Sequence, residues 1–537
     1  MGGMALSEPK KQNYLQGAAI LAAGVVIMKV LGAIYKIPLG NILGDTGYAH
    51  FLVAYNIYGV FLTLATAGLP VALSRMISEA NTMNRPNQVR RIFSVAWWTF
   101  FAIGLACTLI MALFPRQLAD ALNDPSAEPS ILALSPAVLL VCLTSAYRGY
   151  CQGHENMTPT TVGQVLEVLA KVAAGLALAW WLTRAGRELS IASAGAIFGV
   201  TIGSLAALAY MFYCKRRYYG SGREGSDIPE SRGSALRALL RIGIPITLGS
   251  SVLSLINLLD SGLCMGRLQD AAGFTELAAT ELYGVYGKAQ TLYNLPASFI
   301  TPLTISVVPA ISAARALRHK RDVSRIAENS MRIAVVLALP MGVGLSVLAG
   351  PIMATVYPDS HSSGGVLLTI MGAASFFVCM ALMMNSILQA GGNEKYPIYS
   401  MIAGGVVKIA VNWFLVADPE INIVGAPIGT LACYAVMCVM NFVFLCRRLP
   451  EKPSLARIFL RPAIASAVMG AAAWAVYGLA HSLLGEGYMH VALAMLCAIG
   501  AAVLVYLVLV IALRAVTLED MRLIPKGEKL ARILHIK

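Results

Sequence analysis

The chain has 537 residues, of which 58% are apolar and only 13% are charged, and its mean hydropathy is +0.70. This composition lies outside the range of soluble proteins and indicates an all-α, polytopic membrane protein. The short alternating segments of a transmembrane β-barrel are absent from the sequence. The ten cysteines lie mostly within or beside apolar runs and form no CxxC pair, so they indicate small buried side chains.

Hydrophobic runs bounded by turn residues or charges predict fourteen transmembrane helices. Each run is about long enough to cross a hydrocarbon core of roughly 30 Å. The first run has full length and no cleavage site after it, so we expect a retained helix and not a signal peptide. The approximate spans are 14–37, 48–72, 92–114, 130–151, 160–182, 190–213, 239–263, 279–305, 329–350, 364–389, 396–416, 423–446, 459–481 and 489–513.

Lysine and arginine are distributed very unevenly between alternate loops. If the N-terminus is inside, 32 of the 41 basic residues fall on that side and only Arg116, Arg184, Arg187 and Arg267 fall on the other. This split follows the positive-inside rule and predicts that both termini are cytoplasmic. It explains the net charge of +14 as a topology signal with attraction for anionic lipid, and it argues against a nucleic-acid partner.

A polar, basic and Gly/Ser-rich segment follows the sixth span and predicts a linker between two six-helix lobes. The predicted organisation is an N-lobe at 1–214, a cytoplasmic basic linker at 215–238, a C-lobe at 239–446, two further helices at 447–513 and a basic cytoplasmic tail at 514–537.

The two lobes also repeat each other in sequence. At an offset of 237 residues, three polar residues of the first lobe meet similar residues of the second: Gln152 and Gln389, Asn156 and Asn393, Lys171 and Lys408. Parallel repeats of this kind are typical of transporters, whose substrate path lies at the interface between the halves.

Five lysines remain inside the predicted membrane spans: Lys29, Lys36, Lys171, Lys288 and Lys408. Lys29 and Lys36 are seven residues apart and project from nearly the same helix face. Lys288 lies in the polar run "YGVYGKAQTLYNLP", which is too polar to face lipid, with Pro296 predicted to kink the helix.

Two further pairs of residues involve carboxylates. Glu167 and Lys171 are an i,i+4 pair that can neutralise each other, so burial for packing is an alternative to a functional role. Asp260 follows Asn257 by three residues, and the two can share a face.

Basic groups outnumber acidic ones in the middle of the predicted bilayer, which suits an anionic ligand such as a phosphate or pyrophosphate. We therefore predict that the five lysines bind a diphosphate, and that Glu167, Asp260 and Asn257 modulate the charge or couple transport to an ion. Secondary candidates are the polar residues Arg75, Arg148, Gln152, Asn156, Gln389 and Asn393. No catalytic or metal-binding motif is present, so an enzyme is not expected.

Four segments resemble the SpoVB/YtgP/MurJ group of polysaccharide-biosynthesis flippases, in the multidrug/oligosaccharidyl-lipid/polysaccharide (MOP) exporter superfamily. They are "KVLGAIYKIPLGNILGDTGYAHFLVAYNIYGVFLTLATAGLPVALSRMISEA", "YRGYCQGHENMTPTTVGQVLE", "PITLGSSVLSLINLLDSGLCMGRLQ" and "LYNLPASFITPLTISVVPAIS". The resemblance implies two six-helix lobes with two appended helices. It also implies alternating access that turns a lipid-linked cell-wall precursor from the inner to the outer leaflet of the bacterial cytoplasmic membrane.

The resemblance implies an undecaprenyl-pyrophosphate sugar as substrate, lipid II above all. The basic residue before "LG" in the group's first helix falls on Lys29, and a second basic position falls on Tyr35, beside Lys36. The aspartate that MurJ-type members carry before the second helix is replaced here by Ala49 and His50, whereas the Glu and basic residue of the SpoVB branch match Glu167 and Lys171.

The expected partners are the lipid-linked oligosaccharide and membrane lipids, with cell-wall synthesis or division machinery as candidate protein partners. No resident cofactor is expected, and H⁺, Na⁺ or the membrane potential are candidate energy sources. The rival hypotheses are a multidrug or cation antiporter of the same fold, a flippase for another lipid-linked oligosaccharide, an enzyme acting on lipid-linked sugars, and a non-transporting scaffold.

Overall fold

A computed structural model describes residues 14–219, 225–317, 319–485 and 487–515. The described chain contains helices and turns and no strand. By packing it divides into two units, Met1–Met265 and Gly266–Lys537. Lys10, Lys11, Arg223, Arg318 and the tail beyond residue 515 lie outside the described residues.

Unit 1 is built from eight helices, of which α4 is a single short turn outside the predicted spans. They are α1 (Tyr14–Thr66), α2 (Leu69–Thr82), α3 (Pro86–Leu113), α4 (Pro115–Asp120), α5 (Glu128–Gly153), α6 (Thr158–Arg184), α7 (Leu189–Tyr219) and α8 (Arg232–Asp270), the last of which ends just inside unit 2.

Unit 2 contains nine helices, and the short helix α12 precedes the long α13. They are α9 (Glu276–Tyr293), α10 (Leu295–Ala316), α11 (Lys320–Val347), α12 (Ala349–Val356), α13 (His361–Ala390), α14 (Lys395–Leu415), α15 (Gly425–Arg448), α16 (Arg461–Leu484) and α17 (Tyr488–Ala512). A short π-helical segment, Ala456–Leu460, leads into α16.

Thirteen stretches of the described chain are long and apolar enough to cross a membrane. The first of them, Ala23–Thr82, covers most of the first two predicted spans. The others overlap the remaining twelve, although Leu295–Ala316 overlaps the eighth span only over residues 295–305. Helix α1, which runs into this stretch from Tyr14, is 53 residues long, roughly 80 Å, which exceeds a single crossing. Gly44 interrupts α1 with a φ of 68°, a conformation that glycine adopts without steric cost. The chain is therefore a multi-pass membrane protein, as predicted.

The eighth predicted span, 279–305, is not one kinked helix. The structure ends α9 at Tyr293 and starts α10 at Leu295, with Pro296 in the first turn of α10. Proline has no N–H to donate and its ring clashes with the preceding turn, so the sequence breaks the helix there. The second predicted span is interrupted in the same way, because α2 begins at Leu69 with Pro70 in its first turn.

The segment predicted as a flexible linker is partly anchored to the N-terminal end of α3. The Asp227 carboxylate accepts hydrogen bonds from the backbone N–H groups of Asn87 (3.0 Å) and Gln88 (2.9 Å), and Arg85 donates to the Ile228 carbonyl. These contacts satisfy two of the N–H groups that a helix N-terminus leaves without intrahelical partners. Residues 225–230 are thus held on unit 1.

Helix α8, which the sequence assigned to the C-lobe, also packs within unit 1. Thr63 and Ser254 share a hydrogen bond of 2.7 Å between their hydroxyls, and Asn123 donates to the Gly262 carbonyl (3.3 Å). The predicted lobe boundaries stay a prediction.

The ten cysteines are all free thiols, and eight of them are buried. This placement confirms their predicted role as small core side chains.

Candidate functional site

An ion pair joins α5 and α6 inside unit 1. Arg148 Nη2 lies 2.5 Å from Glu167 Oε2, and the two side chains are only 13% and 21% exposed. The predicted i,i+4 pairing of Glu167 with Lys171 is therefore wrong. Arginine presents several N–H groups in a fixed fork that suits a carboxylate, so it is the stronger partner.

Lys171 turns towards α1. Its ammonium lies over the ring of Tyr35, 5.6 Å from the centroid, and the Tyr35 hydroxyl donates to the Ala196 carbonyl at 3.0 Å. Lys36 lies in the same way over Tyr55, at 5.7 Å, and its charge interacts with those of Lys171 and Lys29. A cation over an aromatic face gains about 0.5–2 kcal/mol, which helps to hold these lysines in place.

Helices α6 and α7 pack closely at the positions of Glu167 and Lys171. A Cβ atom on Gly203 of α7 would collide with the Glu167 carbonyl, and one on Gly199 would collide with the backbone of Gly175 and Lys171. The two helices approach so closely because glycine has no side chain. Helix α7 therefore packs against the backbone of α6 at Glu167, Lys171 and Gly175.

These side chains line a cavity of about 450 Å³ in unit 1, which we call the basic cavity. Four predicted site residues meet there, namely Arg148, Gln152, Glu167 and Lys171. The remaining polar side chains of its wall were not among the predicted site residues: Tyr55, Tyr58, Thr66, Ser145, Thr160 and Gln164.

Their spacing carries a signal that the sequence analysis missed. On α5, Ser145, Arg148 and Gln152 follow each other at intervals of three and four residues, as Thr160, Gln164, Glu167 and Lys171 do on α6. Intervals of three and four place residues on one face of a helix. A polar stripe along a membrane helix predicts a wet cavity or a polar partner.

Three polar atoms on this wall have no hydrogen-bond partner within the described residues: Ser145 Oγ, Arg148 Nε and Thr160 Oγ1. Buried polar atoms are nearly always hydrogen-bonded, so each of them has capacity to bind a ligand. Arg148 and Lys171 outnumber the single carboxylate of Glu167 on this wall. The basic cavity can therefore hold an anion that offers several oxygen acceptors.

The predicted lysines of unit 2 lie in packed surroundings. Lys288 is fully buried, donates to Ser360 Oγ at 2.9 Å and lies over the Tyr357 ring at 5.4 Å. Lys408 is 5% exposed and interacts electrostatically with Tyr293. Their role in ligand binding stays a prediction.

Most of the other candidates lie away from the basic cavity. Lys29 and Gln389 are exposed, and Arg75 is exposed and pairs with Glu79 at 2.9 Å. Asn156 is buried, and its side chain accepts from the backbone N–H of Thr158 (3.2 Å) at the start of α6. Asn393 lines a different cavity, in unit 2.

Asp260 and Asn257 do not share an environment. Asp260 is 4% exposed and Asn257 is exposed, so the two differ in burial, and a joint role stays a prediction. Residues three apart differ by about 60° around a helix, and the edge of the packed face falls between them.

His50, at the position where the resemblance expects an aspartate, lies beside a carboxylate from elsewhere in the chain. Its Nδ1 is 2.8 Å from both oxygens of Asp124, and both residues are buried. The pair ties α1 to the turn before α5. Among the described residues no cluster of three or more His, Cys, Asp or Glu side chains could hold a metal ion.

Comparison with known proteins places this architecture in a family. A family model described as polysaccharide biosynthesis protein matches residues 14–315, more than half of the chain. The chain belongs to this family. Its relatives in Bacillus subtilis include the uncharacterized membrane protein YabM, 27% identical over 98% of this chain and 97% of that protein.

Two further Bacillus subtilis relatives have informative names. Stage V sporulation protein B is 25% identical over 96% of this chain and 98% of its own length, and the lipid II flippase MurJ is 24% identical over 92% and 94%. These similarities confirm the resemblance inferred from the sequence motifs.

Two solved structures share the fold. An inward closed structure of the lipid II flippase MurJ matches with a TM-score of 0.67, at 15% identity, over 92% of this chain and 99% of its own. An inward-facing MATE transporter of the MOP superfamily matches with a TM-score of 0.66, at 14% identity, over 80% and 98%. The fold is therefore the MurJ and MATE fold.

Proposed function

We propose that this protein is a flippase that turns a lipid-linked cell-wall precursor from the inner to the outer leaflet of the bacterial cytoplasmic membrane by alternating access. The substrate is an undecaprenyl-pyrophosphate sugar, with lipid II as the leading candidate. The termini are cytoplasmic, and lipid-linked oligosaccharides of other composition are the nearest alternative.

The basic cavity carries this proposal. Arg148 and Lys171 lie at membrane depth, where an isolated charge costs several kcal/mol, so a role in ligand binding accounts for keeping them. A pyrophosphate offers the charge and the oxygen acceptors that these groups and the unpartnered Ser145 and Thr160 hydroxyls can engage. Glu167 holds the Arg148 guanidinium in place and offsets its charge.

An apolar cavity of about 480 Å³ in unit 2 supports the proposal that the substrate carries a lipid chain. It lies among α10, α11, α16 and α17, and its wall is almost entirely aliphatic and aromatic, with Phe299, Met341 and Leu507 among its residues. A polyprenyl chain gains about 25 cal/mol for each Å² of apolar surface that it buries. Such a cavity suits an isoprenoid chain.

The names of the relatives favour the same class of cargo. MurJ of Bacillus subtilis is named a lipid II flippase, and the matched family is named for polysaccharide biosynthesis. Because YabM and stage V sporulation protein B carry no substrate in their names, the choice of lipid II rests on the MurJ likeness and on the chemistry of the cavity.

The membrane potential is the proposed energy source. When the cavity is empty, its excess positive charge favours the inward-facing state of the protein under an inside-negative potential. Each elementary charge that crosses the field contributes about 2.3 kcal/mol per 100 mV. Transport in proteoliposomes should slow when an ionophore collapses the potential. Unchanged transport would remove this part of the proposal, and an H⁺ or Na⁺ gradient would then be tested.

The deciding experiment is complementation of a bacterium depleted of its own lipid II flippase. The wild-type chain should restore growth, and Lys171→Met and Arg148→Gln should each fail although the proteins reach the membrane. Arg184→Gln is the matched control, since Arg184 is an exposed basic residue at the end of the same helix, α6. Failure of the wild-type chain would reject lipid II as the substrate.

A companion assay separates the rival functions. Purified protein in vesicles should move a fluorescent undecaprenyl-pyrophosphate oligosaccharide between leaflets, and Lys171→Met should lose this activity. If Asp260→Asn abolished export of a cationic dye while Lys171→Met retained it, the chain would be a cation antiporter. Product formed in detergent, without two compartments, would indicate an enzyme. Full biological function of a variant with all the buried lysines neutralised, without lipid movement in vesicles, would indicate a scaffold.

A further inference from the structure

A separate cavity of about 480 Å³ lies in unit 2 among the ends of α10, α11, α13 and α15; we call it the two-arginine cavity. Its polar wall consists of Arg315, Asn393 and Arg448. The rest of its wall is apolar or glycine, and it includes Leu445 and Leu449 of the α15 end. No carboxylate occurs among the described residues that line it.

Arg448 is held in position by aromatic rings. Its guanidinium donates to the Tyr396 hydroxyl and lies over the Tyr396 ring, 5.1 Å from the centroid. Tyr396 in turn packs on Phe444, with 4.6 Å between ring centroids. A guanidinium oriented in this way loses little conformational entropy when it binds an anion.

Arg315 is placed by a glycine turn. Gly392, between α13 and α14, has a φ of 71°, and a Cβ atom there would collide with the Arg315 guanidinium. Glycine therefore meets two requirements, the left-handed backbone and the space for the arginine. Arg315 forms no ion pair within the described chain, and Glu451, which follows Pro450 of the cavity wall, pairs with Arg321 at 3.4 Å.

The position of the two-arginine cavity indicates what reaches it. Arg315 is in the last turn of α10 and Arg448 ends α15, so both lie where membrane helices meet water. The distribution of basic residues predicts that this end is cytoplasmic, the side on which anionic lipids attract basic segments. Two guanidinium groups match a phosphate, and the apolar wall matches the start of an acyl chain.

The corresponding cavity of unit 1 lacks this combination. It has a volume of about 400 Å³ and is lined by Arg85, His154 and Glu155 with serine, threonine and asparagine side chains. A carboxylate and a single arginine give it no excess of positive charge. At this place in the fold, the excess of positive charge is thus found in the second repeat and not in the first.

We propose that the two-arginine cavity binds the headgroup of an anionic phospholipid, with the phosphate between Arg315 and Arg448 and the first part of an acyl chain along Leu445 and Leu449. Such a site is distinct from the basic cavity of unit 1 and does not depend on the identity of the transported substrate. It would tie α10, α13 and α15 to the lipid composition of the cytoplasmic leaflet.

The test is retention of phosphatidylglycerol by the purified full-length protein, counted by native mass spectrometry after exchange into micelles that contain equal amounts of phosphatidylglycerol and phosphatidylcholine. The double variant Arg315→Gln/Arg448→Gln should retain phosphatidylglycerol at least about tenfold less than wild type, since it loses the charge-assisted hydrogen bonds of both guanidinium groups. Arg315→Lys keeps the charge but loses the planar guanidinium N–H groups, so it should retain an intermediate amount of phosphatidylglycerol.

The matched control is Arg216→Gln/Arg217→Gln. Arg217 also donates to a tyrosine hydroxyl, Tyr213, and lies near its ring, at the end of α7 in unit 1. This control removes the same charge and should retain the lipid as wild type does. If both double variants lost phosphatidylglycerol equally, the loss would follow from the lower net charge, and the proposed site would be overturned.

Two other outcomes also decide the proposal. Retention of phosphatidylglycerol by a folded Arg315→Gln/Arg448→Gln variant would overturn it. Displacement of the lipid by millimolar inorganic phosphate would assign the cavity to a free anion and overturn the lipid assignment. If the double variant does not fold, Arg315→Lys against wild type supplies the same comparison with the charge unchanged.

Discussion

The region around Lys171 in unit 1 and the region around Lys408 in unit 2 occupy the same place in the repeat but differ in chemistry. At the offset of 237 residues, Lys171 corresponds to Lys408, whereas Arg148 and Glu167 correspond to Asn385 and Gly404. Unit 1 places its lysine on the wall of the basic cavity, and unit 2 buries its lysine in packed protein.

Both members of the ion pair are replaced together in the second repeat. Asn385 accepts a hydrogen bond from Asn441 at 2.8 Å, and Gly404 packs against Cys433 and Met437 of α15. Removal of a single partner would leave a charge without compensation at membrane depth, which is expensive. The difference between the repeats therefore identifies Arg148–Glu167 as one unit and Lys171 as a group with a separate role.

The repeat also extends to the segments that follow α7 and α15. In unit 1 the linker carboxylate of Asp227 accepts from the backbone of α3, whereas in unit 2 side chains of α11 accept from the following segment. Ser324 Oγ accepts from the N–H of Glu451 (3.1 Å), and Glu328 accepts from that of Ser454 (3.3 Å). In both units the segment after the lobe helix is held on a membrane helix, but it accepts hydrogen bonds in unit 1 and donates them in unit 2.

The strongest test of the comparison breaks the ion pair. Arg148→Gln and Glu167→Gln should each lower the free energy of unfolding by roughly 3 kcal/mol, because each leaves a largely buried charge without its partner. The double variant should lower the free energy of unfolding by much less than the sum of the two single variants, because the second repeat is neutral at both positions. Thermal unfolding in detergent gives the coupling energy.

The control for this cycle is the exposed pair Arg75–Glu79, whose coupling should stay below about 1 kcal/mol. Additive effects of Arg148→Gln and Glu167→Gln would contradict the assignment of the two residues as one unit.

Packing of α6 on α7 provides the second test. Gly203→Ala should destabilise the protein by about 2 kcal/mol, because the added methyl group meets the Glu167 carbonyl. Gly32→Ala is the matched control, since a Cβ at Gly32 meets nothing within 4 Å, and it should be neutral or slightly stabilising. Equal melting temperatures for the two variants would show that α6 and α7 do not need this close approach.

The aromatic support of Lys171 offers a finer test. Tyr35→Phe removes the hydrogen bond to Ala196 and should cost about 1 kcal/mol of stability, while transport is retained because the ring under Lys171 remains. Tyr35→Leu removes the ring as well and should reduce transport. Equal transport by the two variants would mean that the ring does not orient the lysine.

The smallest effect concerns the linker contact at α3. Burial raises the pKa of Asp227, but the hydrogen bonds from Asn87 and Gln88 outweigh it and hold this pKa below its ordinary value. A carboxyl with a lowered pKa contributes stability above its unfolded pKa and loses it as the pH falls through the folded pKa. The contact should therefore hold at neutral pH and weaken below about pH 4.

Asp227→Asn should speed hydrogen exchange at the Asn87 and Gln88 amides at pH 7, with the Ser324→Ala variant showing the analogous change at Glu451 in unit 2. Wild-type exchange rates in Asp227→Asn would mean that the carboxylate does not hold the linker.

The sequence by itself determined the membrane helices, because crossing a bilayer requires about twenty apolar residues in a row and this requirement is local. It also identified the family resemblance and marked Pro296 as a kink, where the structure instead separates α9 from α10. It did not determine which charges meet. Glu167 is four residues from Lys171 along α6, yet its partner is Arg148 on α5, and Lys171 lies over Tyr35 of α1 instead.

Such choices were made by tertiary structure. The pairing of a buried charge depends on which helix face is closed by a neighbour, and here Gly203 and Gly199 bring α7 against one face of α6. Packing by neighbouring helices also explains why Lys171 lines a cavity and Lys408 is buried, although the two occupy equivalent positions in the sequence repeat. Burial at one position and a cavity at the other follow from the side chains that other helices supply around each lysine.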